Sequence, residues 1–197
     1  MSMTAHLLAA VLVGPAPVQF EVKLSKQAIK PGESIRAELV AKNTSRQPVV
    51  VAKAIWDGAP AAYANASLYR GAVEYRYSGK SSMPMAQVMV SNKVDRNRFV
   101  TLKPGESVVV YWTDVDAVYD FGSSKTRGKE DYAKARLTDL APGRYEFNVE
   151  YGFERNQLKK NLDQDWQKVI EFGPGAESLW TSAVEAKYSG KKTFVVR

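Results

Sequence analysis

The stretch Tyr145-Glu146-Phe147-Asn148-Val149-Glu150-Tyr151 decides the fold class. Aromatic or apolar side chains alternate with polar ones throughout it. A period of two sends alternate side chains to opposite faces of an extended chain, so this segment reads as a late strand with one face turned to a core. The same alternation begins at Phe20, Val22 and Leu24, which are separated by Glu21 and Lys23. Short runs rich in Val, Tyr, Phe and Ile at 34–42, 48–56, 67–77, 86–91, 98–102, 107–113, 144–152, 167–172 and 192–196 read as further strands.

Turn signals stand between these runs. Lys30-Pro31-Gly32-Glu33-Ser34 and Lys103-Pro104-Gly105-Glu106-Ser107 are identical, and Ala141-Pro142-Gly143-Arg144 repeats their centre. Proline presets φ at the first central position of a turn, and glycine accepts the positive φ that a type II turn needs at the second. The repeat does not extend to a duplication, because the flanks match only as generic strand sequence. Helix is scarce. Leu158, Leu162 and Trp166 form an i, i+4, i+8 stripe that reads equally as three helical turns capped by Asn156 or as a long loop. Trp56 and Trp112 are expected to anchor the core.

Many short strands with little helix predict an all-β, immunoglobulin-like antiparallel β-sandwich, with room for one short helix or long loop insertion. The chain has 197 residues, 45% of them hydrophobic and 25% charged, which suits one packed domain. The expected division is 1–18 as an export signal or disordered start and 19–197 as a single sandwich domain. The apolar run at 5–13, ending in Gly14-Pro15-Ala16-Pro17, has the length of a signal-peptide core and is too short to span a bilayer. No Lys or Arg precedes it, and Pro17 follows the best small-residue cleavage position at Ala16.

The order of features resembles a known family. A Pro31-Gly32-Glu33-Ser34 turn leads into a strand ending Lys42-Asn43-Thr44, followed by the run at 49–56. Phe99-Val100-Thr101-Leu102-Lys103-Pro104-Gly105-Glu106-Ser107 comes next, then 114–120 with Tyr119-Asp120, then Pro142-Gly143-Arg144-Tyr145. Over 20–153 this resembles the immunoglobulin-like prodomain that precedes deuterolysin-type metalloendopeptidases, and more loosely the immunoglobulin-like modules of bacterial secreted proteins. The resemblance implies an extracytoplasmic domain that packs against or restrains a partner. It does not carry over the peptidase: that catalytic domain uses an H-E-x-x-H helix, and the sole histidine here is His6.

Composition removes most catalytic chemistries. With no cysteine and one histidine, the chain lacks the parts for a serine or cysteine triad, a zinc-thiolate site or an iron–sulfur centre. Gly122-Ser123-Ser124-Lys125-Thr126 lacks the first glycine and the Gly-Lys pair of a phosphate-binding loop and reads as a flexible segment. Asp114, Asp116 and Asp120 supply the hard oxygens that calcium prefers, but without a complete calcium-loop pattern they read as solvated or turn-capping acids. Met83, Met85 and Met89 read as core packing in preference to a copper(I) site. No cofactor is expected, and no enzyme. Asn43-Thr44-Ser45 and Asn65-Ala66-Ser67 fit the glycosylation sequon, which bears only on a secreting eukaryotic source.

The net charge of +7 is spread along the chain, without a basic helix or RNA-binding aromatic motif, so no nucleic-acid partner is expected. Cations concentrate locally at 125–136, 155–160 and 187–192, and in the segment 121–137 Lys125, Arg127, Tyr132 and Arg136 are the candidate contacts for a protein partner, a protease or an acidic envelope component. The expected function is a non-enzymatic, secreted or periplasmic protein-binding module. The alternatives are a protease inhibitor or prodomain-like restrainer, and a glycan-binding module using Tyr63, Tyr69 and Tyr75.

Overall fold

The identical Lys-Pro-Gly-Glu-Ser pentapeptides fold identically. In each, the glutamate N–H donates to the lysine carbonyl at 3.0 Å, and the glycine stands at φ +79° or +81°. In each, the glutamate carboxylate also folds back to accept the lysine N–H, at 3.2 Å in the first turn and 2.8 Å in the second. The computed structural model describes residues 16–55, 61–82, 93–121, 135–155 and 171–197. The stripe at Leu158, Leu162 and Trp166, the Met83–Met89 cluster, Trp56 and the strand expected at 86–91 lie outside them.

The first turn joins β1 (Val18–Leu24) and β2 (Ala28–Ile29) to β3 (Ile35–Asn43). The second joins β9 (Phe99–Leu102) to β10 (Ser107–Val115). Between β3 and β9 come β4 (Val49–Ala52), β5 (Tyr63–Arg70), β6 (Val73–Tyr75), β7 (Tyr77–Ser78), β8 (Lys93–Val94) and a single 3₁₀ turn at Arg96–Arg98. After β10 come β11 (Ala117–Asp120), β12 (Arg136–Thr138), β13 (Gly143–Phe153), β14 (Glu171–Phe172), helix α1 (Ala176–Ser182) and β15 (Ala186–Val196).

The described residues are mostly β, with a 3₁₀ turn and the short helix α1. One sheet has the order β1-β3-β10 and the other β2-β15-β13-β5-β6. These correspond to strands A-B-E and G-F-C of an immunoglobulin-type sandwich. All pairings within the two sheets are antiparallel except β2, which leaves the first sheet and lies parallel to β15 at Val195 and Val196. Smaller pairs, β4 with β9, β12-β11-β7 and β14 with β8, flank the sandwich.

The core lies between the sheets. From β13, Tyr145, Phe147, Val149, Tyr151 and Phe153 face inward and are almost wholly buried. Phe147 stacks on Phe194 at 5.6 Å and meets Tyr77 edge-on at 6.2 Å. The Tyr151 hydroxyl donates to the Ala52 carbonyl at 2.7 Å, and burial pushes that phenol well above its ordinary range. Trp180 of α1 fills the far end, edge-on to Phe153, Phe172 and Phe99 at 5.4, 5.5 and 6.4 Å.

Two sequence expectations are corrected. Trp112 is not a core anchor, because a β-bulge between Val109 and Tyr111 turns both Val110 and Tyr111 inward and re-phases the strand. Trp112 therefore lies on the outer face, with the Arg36 guanidinium 4.3 Å above its ring. The Pro142-Gly143 segment is not a type II turn either. Gly143 stands at φ +153°, and the Ala141 carbonyl accepts the Tyr145 hydroxyl at 2.9 Å. That bond is the tyrosine corner of immunoglobulin-type sandwiches, in which a tyrosine early in strand F ties back to the preceding loop.

Candidate functional site

Of the residues expected to contact a partner, Lys125, Arg127 and Tyr132 lie outside the described residues. Arg136 opens β12 and is exposed, directly opposite Asp120 of β11 in register. The acidic positions are drawn apart. Asp114 accepts two hydrogen bonds from the Arg36 guanidinium, at 2.7 and 2.9 Å, and this pairing raises the Arg36 pKa. Asp116 is exposed between β10 and β11. Among the described residues, no three His, Cys, Asp or Glu side chains converge on a point where a metal ion would sit.

The three tyrosines also divide. Tyr63 and Tyr69 share the outer face of β5, whereas Tyr75 pairs with the inward Leu68 and lies edge-on against Tyr145 at 5.9 Å. Tyr63 extends over Gly152 of β13, so closely that a Cβ there would stand 2.2 Å from the ring. Asn43 of the first sequon is wholly buried and uses both ends of its amide. Its Nδ2 donates to the carbonyls of Gln47 and Leu102 at 2.8 and 2.9 Å, and its Oδ1 accepts the Ser45 N–H and hydroxyl, each at 2.8 Å. It is a structural corner and not an accessible glycan acceptor.

Sequence reasoning missed the edge where β1 and β15 face each other. Phe20 closes its first half by packing on Tyr151 at 5.0 Å and on Tyr188 at 5.7 Å. Burial raises the Tyr188 pKa, and its hydroxyl faces the backbone N–H of Val22. Beyond these rings the sheets part into a groove of ≈ 590 Å³. Val22, Leu24 and Phe194 supply apolar lining, and Lys23, Arg144 and Lys192 surround it with positive charge. Glu21 is the one acid among the lining residues, 3.9 Å from Lys192.

The backbone of β15 is open beside this groove. Its Val195 N–H donates to Gln27 and the Arg197 N–H to Ile29, so odd-numbered residues direct their N–H and C=O groups away from β13. β2 covers only Val195 and Val196, and among the described residues no strand pairs with the same edge from Ala186 to Phe194. Lys187 and Lys191 lie along it, with Lys187 2.8 Å from Glu154 and Lys191 3.3 Å from Glu146. Both lysine side chains remain more than two-thirds exposed, at 67% and 69%, so these pairs are solvent-screened and hold the cations weakly.

The sequence does show the cation concentration at 187–192, where Lys187, Lys191 and Lys192 stand in a stretch with no acid. What made the edge invisible was its dependence on sheet order, a non-local property. No protein-family model matches the chain, and no curated protein matches it in sequence. No helix among the described residues is long and apolar enough to cross a membrane.

Proposed function

We propose that the chain is a non-enzymatic, immunoglobulin-like protein-binding module that acts in a secreted or periplasmic setting. The observation that carries this reading is the edge of β15, left unpaired among the described residues, beside a groove that is cationic around it and has Leu24 as a half-buried apolar side chain. Unpaired strand edges template pairing with other chains, and interfaces centre on apolar lining within a polar surround. The apolar run at 5–13 supports export. A protease restrainer, as the prodomain resemblance implies, would use the same edge and differ only in its partner. Glycan binding has one observation of its own, the 40% exposed Tyr63 ring on the outer face of β5.

Capture from the envelope extract of the source organism tests the protein-binding reading. The full chain serves as bait, beside a Lys191→Glu, Lys192→Glu double variant, and retained proteins are identified by mass spectrometry. A protein held by the parent chain and released by the charge reversal, with circular dichroism unchanged, is the expected result. Empty capture, or equal capture by both, contradicts the proposal.

A further inference from the structure

We infer that the edge of β15 that no described strand pairs from Ala186 to Phe194 takes an extended acidic segment of a partner protein as an added strand, an inference that rests on the protein-binding reading above. The hydrogen-bonding groups are in place. Lys187, Ser189, Lys191 and Thr193 have the same parity as Val195, whose N–H points to β2, so each offers an N–H and a C=O along the open edge. At about 3.3 Å per residue, a strand of about seven residues would meet all four. Main-chain bonds supply affinity in this mode of recognition, and alternate side chains supply specificity.

The side chains around the edge select the occupant. β15 carries Lys187, Lys191 and Lys192 and no acid, Lys23 adds positive charge across the groove from β1, and Arg144 adds it from the neighbouring β13. The acids that reach these lysines, Glu154, Glu146 and Glu21, belong to other segments and leave the cations exposed. A strand added here would turn alternate side chains toward the half-buried Leu24 and the Lys192 stem, and the intervening ones outward beside Lys187 and Lys191. Apolar residues alternating with Asp or Glu satisfy both faces.

The same lysines disfavour a second copy of this chain. Antiparallel self-pairing centred on Ser189 would set Lys187 of each copy opposite Lys191 of the other, and pairing centred on Lys191 would oppose it to itself; like charges directly opposite destabilise a strand pair. Edge lysines are a known guard against such self-association. An acidic strand converts that guard into attraction.

The test uses fluorescence anisotropy with a labelled, end-capped peptide of about seven residues alternating Glu with Val, a counterpart with Lys for Glu, and a third with alternate backbone amides N-methylated. These are titrated with the full chain, with Ser189→Pro and with Lys191→Glu. Proline is tolerated on an edge strand where its missing N–H faced outward, so Ser189→Pro removes one edge donor, and Lys191→Glu is a surface change that keeps the fold in any case. The Glu peptide should bind the parent chain. Binding should weaken at least about tenfold, or about 1.4 kcal/mol, with either variant and with the Lys peptide, and should vanish on N-methylation. Glu-peptide binding that withstands both Ser189→Pro and N-methylation overturns strand addition. Absence of any Glu-peptide binding, while the chain still captures a partner, overturns the edge assignment and leaves the protein-binding reading standing; loss of both removes both.

Discussion

Replacing Phe147 by alanine is expected to cost about 3–5 kcal/mol of folding stability. The ring is wholly buried at the centre of β13, in contact with Phe194 and Tyr77, on a strand paired on both sides. Truncation removes its transfer free energy and leaves a cavity that two rigid sheets cannot close. Against the ~5–15 kcal/mol of a typical domain, this is a large share. Urea titration of the full chain, followed by tryptophan fluorescence, reads it as a lowered midpoint. Phe147→Leu keeps most of the apolar volume and should lie between the two. An unchanged midpoint for Phe147→Ala would mean that β13 is not central to the core.

The second large effect is at Asn43. Its amide ties the end of β3 to the loop before β4 and to the end of β9, and its backbone ties β3 to the second Pro-Gly turn. Asn43 N–H donates to Glu106 and Gly105 N–H to the Asn43 carbonyl, both at 2.9 Å. Asn43→Ala leaves the buried Leu102 carbonyl and the part-buried Gln47 carbonyl without this donor, an expected loss of about 1–3 kcal/mol. Asn43→Asp separates donation from acceptance. It keeps the oxygen that accepts from Ser45 but points a carboxylate at two carbonyls unless it is protonated, so its folded-state pKa is raised. That variant should be more stable near pH 4 and lose stability as pH rises through the raised value. Comparable stability of the parent and both variants in urea titrations at pH 4 and pH 7 would contradict this role.

Asn43 also shows where sequence reading stops. As part of Asn43-Thr44-Ser45 it matches a sequon, and only the arrival of Leu102 from a distant strand reveals it as a buried corner. The Pro31-Gly32 and Pro104-Gly105 turns were legible because their geometry is set within four residues. The β13 alternation was legible for the same reason. Trp112 was misread because the bulge at Val110 leaves no trace in a strand of consecutive valines. Helix α1 was missed although Ala176 and Trp180 are spaced one turn apart between Gly175 and Ala183; seven residues give too short a periodic signal. The first half of β15 reads as polar chain because its buried neighbours come from β13. Of the candidate contacts, Arg136 lies on an exposed strand, whereas the groove and open edge exist only once β1 is seen at the edge of one sheet and β15, covered by β2 over two residues, next to the edge of the other.

Amide hydrogen exchange along β15, resolved residue by residue in the free chain and with its captured partner, is the first test of strand addition at this edge. Exchange should be fast at Lys187, Ser189, Lys191 and Thr193 in the free chain and slow at Tyr188, Gly190 and Lys192, whose amides face β13. Binding should then protect the fast set. Uniform protection of all seven amides before any partner is added, or a fast set that the partner leaves unprotected, would contradict it.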